Sequence, residues 1–360
     1  MDLYGWKSKK EVIVILDKEK FLDFYNQLKD CQDLSLLKQK IIHFKNWALS
    51  NHTISEEIAI YCSYESFLEI IKKILSSKTI ERARYYLKKL YDFLITEREN
   101  NINDINLARW RDYNEIITDS LWIFDKRDTS GAHLGWYWGN FIPQIPRQLM
   151  LRYTKKFDWV LDPFVGSGTT LIECRRLGRN GIGVDINEEV VKKAKEQIEK
   201  EKNIYNVKTE IIHADSRTLN FKKVLEEFGI KRVQLVILHP PYWDIIKFSD
   251  KEEDLSNSKT LKDFLGAFEE VLRNVIEVLE DGRFLAIVIG DKYSRGEWIP
   301  LGFYVMERAL KLGLKLKSIV VKNFEETRGK RNQKELWRYR ALVGGFYVFK
   351  HEYIFIFQKK

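Results

Sequence analysis

Residues 162–170 read Asp-Pro-Phe-Val-Gly-Ser-Gly-Thr-Thr, directly after the apolar run Trp159–Leu161 and ahead of an amphipathic stretch. Gly166 and Gly168 permit a tight turn and close approach of the backbone to a ligand, with free N–H groups where a helix begins. The next apolar run ends at Asp185, 17 residues after Gly168. A carboxylate at such a strand end can accept both hydroxyls of a ribose. A third run ends in Ala214-Asp215-Ser216, placed to meet an adenine ring. Three strand-end sites in this order point to an adenosine-containing ligand. The first turn lacks the third glycine of a dinucleotide fingerprint, and Asp162 would repel a pyrophosphate while suiting the amino group of a methionine moiety. No Gly-Lys-Ser/Thr marks a phosphate-binding loop.

A second constellation follows the apolar run Leu235–Leu238, which ends in His239-Pro240-Pro241-Tyr242-Trp243. Two prolines cannot continue a ladder, and they stiffen the turn so that carbonyls and aromatic faces point outward. A base lifted out of a duplex needs an aromatic face to stack on and acceptors for its exocyclic amino group. Tyr242 or Trp243 can supply the face, and His239 with the Pro240 carbonyl the acceptors. A proline-terminated strand with two core aromatics is the plainer reading of the same five residues.

Together these residues resemble the amino-directed DNA methyltransferases, which methylate adenine N6 or cytosine N4. The stretch Asp162–Thr170 looks like their motif I, and His239-Pro240-Pro241-Tyr242 is similar to their catalytic motif, usually Asp, Asn or Ser followed by Pro-Pro-Tyr/Phe. The resemblance covers roughly residues 133–360. It implies S-adenosylmethionine as cofactor, held by Asp162, Phe164, Gly166, Ser167, Gly168 and Thr169, with Asp185 and Ile186 at the ribose and Asp215 and Ser216 at the adenine. Residues 139–150 (GNFIPQIPRQLM) sit where the family carries its motif X, which adds Phe141 and Pro143 to the cofactor set. Residues 351–357 (HEYIFIF) are similar to the family's last strand. His239, Pro240, Pro241 and Tyr242 become the catalytic set, and no metal is expected.

His239 departs from the family pattern. Members with Ser-Pro-Pro-Tyr-Trp are mostly cytosine-N4 enzymes and those with Asp-Pro-Pro-Tyr mostly adenine-N6 enzymes, so Trp243 tips the expectation to cytosine N4. A neutral imidazole can accept a hydrogen bond from an amino group and a protonated one cannot, so activity is expected to fall at mildly acid pH. Attack on a ring carbon would need a cysteine nucleophile, and no proline here precedes a cysteine; Cys174 reads as core. Direct transfer to an exocyclic nitrogen needs no covalent intermediate, and positioning carries the rate.

These residues need elements to hold them. After Gly131, short apolar runs at 159–161, 181–184, 209–212, 235–238, 284–289, 318–321 and 353–357 alternate with amphipathic stretches at 169–177, 189–200, 261–279 and 301–312. That alternation predicts an α/β fold, a doubly wound Rossmann-like sheet that binds ligands at the carboxyl ends of its strands. Before residue 131 the chain has no proline and only Gly5. It reads as an N-terminal helical domain, residues 1–130, with helices over 18–29, 35–49, 55–75, 80–99 and 105–124 and a short strand over 11–16. Its aromatics, among them Tyr61, Phe67, Tyr85, Phe93 and Trp110, read as core rather than as a nucleic-acid face. The methyltransferase domain is residues 131–360.

The 360 residues, 44% hydrophobic and 31% charged, exclude a disordered chain. No apolar run reaches membrane-spanning length, and three cysteines make no disulfide framework, so the chain reads as cytoplasmic. The net charge of +9 is unevenly placed: residues 1–130 hold 21 basic and 21 acidic side chains, whereas residues 315–360 hold 12 and 4. Such a local excess fits a nucleic-acid partner. Only 70 residues separate Gly168 from His239, too few for a recognition domain, so recognition is expected from the N-terminal domain, from the loop 244–260 or from the basic segment 322–347, the last favoured as a DNA-contacting hairpin insertion. Arg328, Arg331, Trp337 and Arg338 are its candidate contacts, beside Trp243 at the base. The expected partners are double-stranded DNA and a cognate restriction endonuclease. An RNA base amino-methyltransferase and a catalytically silent nucleic-acid-binding module remain open.

Overall fold

A computed structural model describes residues 13–50, 54–55, 57–98, 100–324 and 334–360. The described residues form two compact units, one of residues up to 101 with 105–115, the other of residues 102–104 with 116–360. Composition changes at Gly131, but the contacts change earlier, because residues 121–122 already pair into the second unit's sheet.

The first unit runs β1 (Ile13–Asp17), α1 (Lys18–Leu28), α2 (Leu34–Ala48), β2 (Ala59–Ser63), α3 (Tyr64–Leu75) and α4 (Ile80–Ile95), followed by a 3-10 turn over Leu107–Asp112. Asp17, Asp33, Ser63 and Thr79 each accept a backbone N–H at a helix start, which supplies partners for orphan donors there. Two expectations fail here. The helix expected over 55–75 begins only at Tyr64, because the run Ala-Ile-Tyr-Cys-Ser pairs antiparallel with β1. The helix expected over 105–124 is a 3-10 turn, irregular chain and a two-residue strand at 121–122; the turn is held by side chains, as Asn106 accepts from Ala108 N and Arg109 donates to the carbonyls of Phe93 and Leu94. Phe67 and Phe93 are buried, with Phe21 and Phe44, whereas Tyr61, Tyr85 and Trp110 are exposed.

The second unit continues with β3 (Leu121–Trp122), α5 (Gln144–Tyr153), β4 (Trp159–Asp162), α6 (Thr169–Leu177), β5 (Asn180–Asp185), α7 (Glu188–Glu199), β6 (Thr209–His213), α8 (Phe221–Glu227) and β7 (Val233–Leu238). Then come α9 (Leu261–Val278), β8 (Leu279–Ile289), the hairpin β9 (Lys292–Ser294) and β10 (Glu297–Ile299), α10 (Leu301–Lys311), β11 (Lys315–Asn323), α11 (Lys334–Gly344) and β12 (His351–Gln358). Eight strands make one sheet in the order β3-β11-β12-β8-β7-β4-β5-β6, parallel except where β12 runs against β11 and β8. Every expected strand and helix after residue 158 is present. Of the hairpin expected within 322–347, residues 334–344 are instead the helix α11, and residues 325–333 lie outside the described residues: Lys-Glu-Leu-Trp-Arg-Tyr-Arg-Ala-Leu is rich in helix formers, and Gly345 at φ +65° follows its end.

Both sheet faces are buried, as a parallel sheet requires. In β7, Val236 and Leu238 join Phe264, Phe268 and Val275 of α9 on one side, while Leu235 and Ile237 join Ile145 and Leu149 of α5 on the other. The strand order reverses between β4 and β7, which lie side by side. A crevice opens at such a switch point, outside the carboxyl ends of the strands. Those two ends carry Asp162-Pro163-Phe164 and His239-Pro240-Pro241.

Candidate active site

A cavity of about 800 Å³ lies at this switch point. Phe164, Gly166, Ser167 and Thr169 line it from the turn after β4, Asp185 and Ile186 from the end of β5, and Asp215 and Ser216 from the end of β6. His239, Pro240, Pro241 and Tyr242 line it from the end of β7, and Phe141 from the segment before α5. The two constellations separated by 70 residues of chain therefore share one space. Trp337 of α11 also lines it.

Pro143, Asp162, Gly168, Trp243 and Arg338 do not. Pro143 caps α5, and Gly168, at φ +80°, caps α6. Asp162 is wholly buried beneath its own turn, accepting from Phe164 N at 3.0 Å and Thr170 Oγ1 at 2.5 Å. Burial pushes its carboxyl up to about 7 against those hydrogen bonds. Its hydrogen bonds hold the turn after β4 to the start of α6. Trp243 turns away with its Nε1 donating to Ser258 O at 2.9 Å, and the Lys292 ammonium sits 4.0 Å from its ring centroid. Arg338 is exposed on α11. Arg328 and Arg331 lie outside the described residues.

The turn after β4 is tied to β5. Asp185 accepts from Gly166 N at 3.0 Å and Asn187 N at 2.9 Å, which holds one strand end against the other. Burial raises its carboxyl to about 6, with Asp254 nearby pushing the same way. The Asp215 carboxylate is taken by Arg217, whose Nη2 lies at 2.7 Å. Gly166 has φ +48°, and a Cβ there would stand 2.9 Å from the Tyr137 ring, so the turn needs glycine twice over.

Residues that sequence reasoning missed complete the walls. Asn140 donates to Ser167 Oγ at 2.8 Å and accepts from Arg127 Nη1 at 2.6 Å, joining the segment before α5 to the turn after β4. The Arg127 guanidinium is pushed down to about 10 by burial. Tyr137 covers Gly166 and stacks on Phe248, ring centroids 5.7 Å apart. None has a spacing signal, since tertiary contact alone brings them in.

At the far end, His239 packs edge-on against Phe141 at 4.9 Å. Its Nε2 lies 3.3 Å from the Tyr242 hydroxyl, which donates to Glu352 Oε2 at 2.8 Å. Burial pulls the imidazole down to about 4, helped by Lys322 and opposed by Glu352. The loss of neutrality expected at mildly acid pH is therefore displaced to about pH 4, because desolvation disfavours the cation.

The sequence matches the model of the DNA methylase family (N6/N4 methyltransferases) over residues 6–196 and 233–360. The chain belongs to that family. Type II methyltransferase M.MjaII of Methanocaldococcus jannaschii is 32% identical over 112 residues, 29% of this chain and 21% of that protein. Type II methyltransferase M.HpaI of Haemophilus parainfluenzae is 48% identical over 56 residues, 16% of this chain and 18% of that protein. A tRNA (guanine(10)-N2)-dimethyltransferase of M. jannaschii is 28% identical over 156 residues, 43% of this chain and 39% of that protein. The matched stretch thus spans about a fifth of the length of the two type II methyltransferases.

Family membership makes S-adenosylmethionine the cofactor, and the residues present suit it. The cavity combines a glycine cradle that a Cβ would fill, a buried carboxylate at the second strand end, and apolar walls at Phe164 and Ile186. Among the described residues no cluster of three or more His, Cys, Asp or Glu is arranged to hold a metal ion, and no helix is long and apolar enough to cross a membrane.

The cradle has a support one strand away. A Cβ on Gly183 of β5 would stand 2.5 Å from Val165 Cγ2, so Gly183→Ala must push the turn after β4 outward. Overpacking of this kind costs about 1–3 kcal/mol. Calorimetry should show cofactor affinity down about tenfold in a protein that still unfolds cooperatively; unchanged affinity would show that the turn tolerates the shift.

Proposed function

We propose that this chain is a site-specific DNA methyltransferase that moves a methyl group from S-adenosylmethionine to an exocyclic amino group of a base turned out of the duplex, with cytosine N4 favoured over adenine N6, as the modifying half of a restriction-modification system. The observation that carries the reading is the single cavity lined both by the turn after β4 and by His239–Tyr242. Gly166, Ser167 and Asp185 hold the cofactor, Asp185 through its ribose hydroxyls. His239 and the Pro240 carbonyl accept from the target amino group, and Tyr242 stacks on the base. Binding both partners in one cavity turns a two-body reaction into a positioned one. Cys174, which a ring-carbon route would have to recruit, is fully buried in α6 with its thiol pushed well up by burial. Trp337 in the cavity lining and the exposed Arg338 support α11 as the element that meets the nucleic-acid backbone. The first unit serves recognition or oligomerisation.

An RNA target is the second reading, favoured by the tRNA methyltransferase match, which spans more of this chain than either type II match. Nucleoside mass spectrometry of DNA and RNA from cells expressing the chain, beside a Tyr242→Ala control, separates the two. Loss of base stacking should cost about 1–3 kcal/mol. N4-methylcytosine in DNA, absent from the control, is the expected result. N6-methyladenine would overturn the base assignment, and a new mark confined to RNA would favour the second reading.

A further inference from the structure

Glu352 of β12 stands directly opposite Lys322 of β11 in the ladder, 110 residues beyond Tyr242 in the chain. One carboxylate oxygen meets Lys322 Nζ at 3.1 Å and the other accepts the Tyr242 hydroxyl at 2.8 Å. Both charged side chains are buried, 7% and 10% exposed. A buried ion pair returns little net stability once desolvation is counted, so its placement in the lining of the cavity asks for another reason.

Counting donors and acceptors supplies one. Burial pushes Glu352 toward its neutral form, but the Lys322 ammonium and the Tyr242 hydroxyl hold the carboxyl below its ordinary value, hence ionised. An ionised carboxylate only accepts, so the one Tyr242 proton points at Glu352. The Tyr242 oxygen is then an acceptor on its two lone pairs, toward the Gly290 backbone N–H and toward His239 Nε2, 3.3 Å away. Nε2 must carry the ring proton, and Nδ1 keeps the lone pair. Gly290, just after β8, leaves room for the Tyr242 ring, since a Cβ there would stand 2.9 Å from it.

We propose that Glu352, anchored by Lys322, is a positioning residue that fixes the tautomer of His239 through Tyr242 and so leaves Nδ1 as the acceptor for a proton of the target amino group. The inference rests on the reading of His239 given above. In the transfer, the exocyclic nitrogen forms a bond to the methyl carbon while the carbon–sulfur bond breaks and leaves its electron pair on sulfur. That nitrogen then sheds one proton, which Nδ1 takes and passes to solvent as product leaves. With the opposite tautomer, Nδ1 would bring a proton to the amino group and no acceptor.

The test is Glu352→Gln, whose amide donates to the Tyr242 oxygen and so turns the hydroxyl proton onto His239 Nε2. Nitrogen-15 spectra of the histidine-labelled free protein, with His239 assigned by its loss in His239→Gln, read the tautomer without cofactor or nucleic acid. The parent should show a protonated Nε2 and a bare Nδ1, and Glu352→Gln the reverse or a mixture. kcat should fall about tenfold or more with the cofactor Kd unchanged, and Tyr242→Phe added to Glu352→Gln should cost little further. Because Glu352→Gln strands Lys322, the Lys322→Met/Glu352→Gln variant, which removes both charges, repeats the measurement in a fold without an unpaired cation. The same His239 tautomer in parent and both variants overturns the proposal, as does a switched tautomer with unchanged kcat. A parent that fixes Nε2–H yet methylates no nucleic acid would refute the proposed function and leave Glu352's hold on the tautomer standing.

Discussion

His239→Ala should lower kcat by about 10²–10⁴-fold, the range typical of a positioned proton acceptor, with cofactor affinity within a fewfold of the parent. The ring sits at the end of β7, away from the proposed ribose site at the end of β5, so the two losses separate. His239→Asn restores an acceptor of a kind the family usually carries at this position and should recover much of the rate. The parent kcat at saturating cofactor should stay level from pH 5.5 to 8 and fall only toward 4, where burial has moved the imidazole. The linkage has a definite sign. With the folded value depressed below the ordinary 6.5, the folded state binds fewer protons, so stability is lost as pH falls from about 6.5 towards 4. Melting profiles of His239→Gln should lose less over that interval. A kcat that drops with a midpoint near 6.5, or His239→Ala at parental rate, would remove His239 from the chemistry.

Asp185→Ala should weaken cofactor binding by about 100-fold or more. Two hydrogen bonds from ribose hydroxyls to an ionised acceptor contribute about 1.5–3 kcal/mol each, and every 1.4 kcal/mol is tenfold in affinity. The substitution also frees Gly166 N and Asn187 N, so the glycine turn loses its anchor. Acid should imitate the mutation in the parent. Burial places this carboxyl at about 6, so cofactor affinity should fall as pH drops through 6 while kcat at saturation holds. Without cofactor the sign for stability is opposite to that for binding. A carboxyl raised above its ordinary value penalises the folded state above about pH 6, and the penalty is relieved as pH falls toward 4. Calorimetric titration of the parent at pH 5 and 7.5, beside Asp185→Ala at 7.5, reads all three. Equal affinity in the three would place the ribose elsewhere.

Much of the cavity is legible in the amino-acid sequence because its residues close consecutive strands. A β-strand that ends in glycine, proline or an acid declares both its end and its chemistry, and parallel pairing then brings Gly166, Asp185 and Asp215 to one edge. What residue types and spacing cannot supply is direction. Asp162 and Trp243 have suitable chemistry at suitable positions, yet one is folded under its turn and the other is drawn to Ser258. Nor can they supply partners set by register: Lys322 meets Glu352 only because β12 runs antiparallel to β11. The three misplaced elements have separate origins, and over 105–124 side-chain hydrogen bonds to the backbone replace the expected helix. A helical pattern over 55–75 takes no account of the partner strand that β1 offers residues 59–63. The segment of α11 reads as a hairpin insertion when its charge is weighed above its helix formers.

One measurement bears most directly on the shared cavity as a place of amino-methyl transfer. Purified protein would be given methyl-labelled S-adenosylmethionine and duplex DNA of mixed sequence, and the digested nucleosides separated by mass. The account predicts label on the exocyclic nitrogen, recovered as N4-methylcytosine and lost in His239→Ala. Label on a ring carbon, or label on nitrogen that persists in His239→Ala and Tyr242→Ala alike, would contradict it.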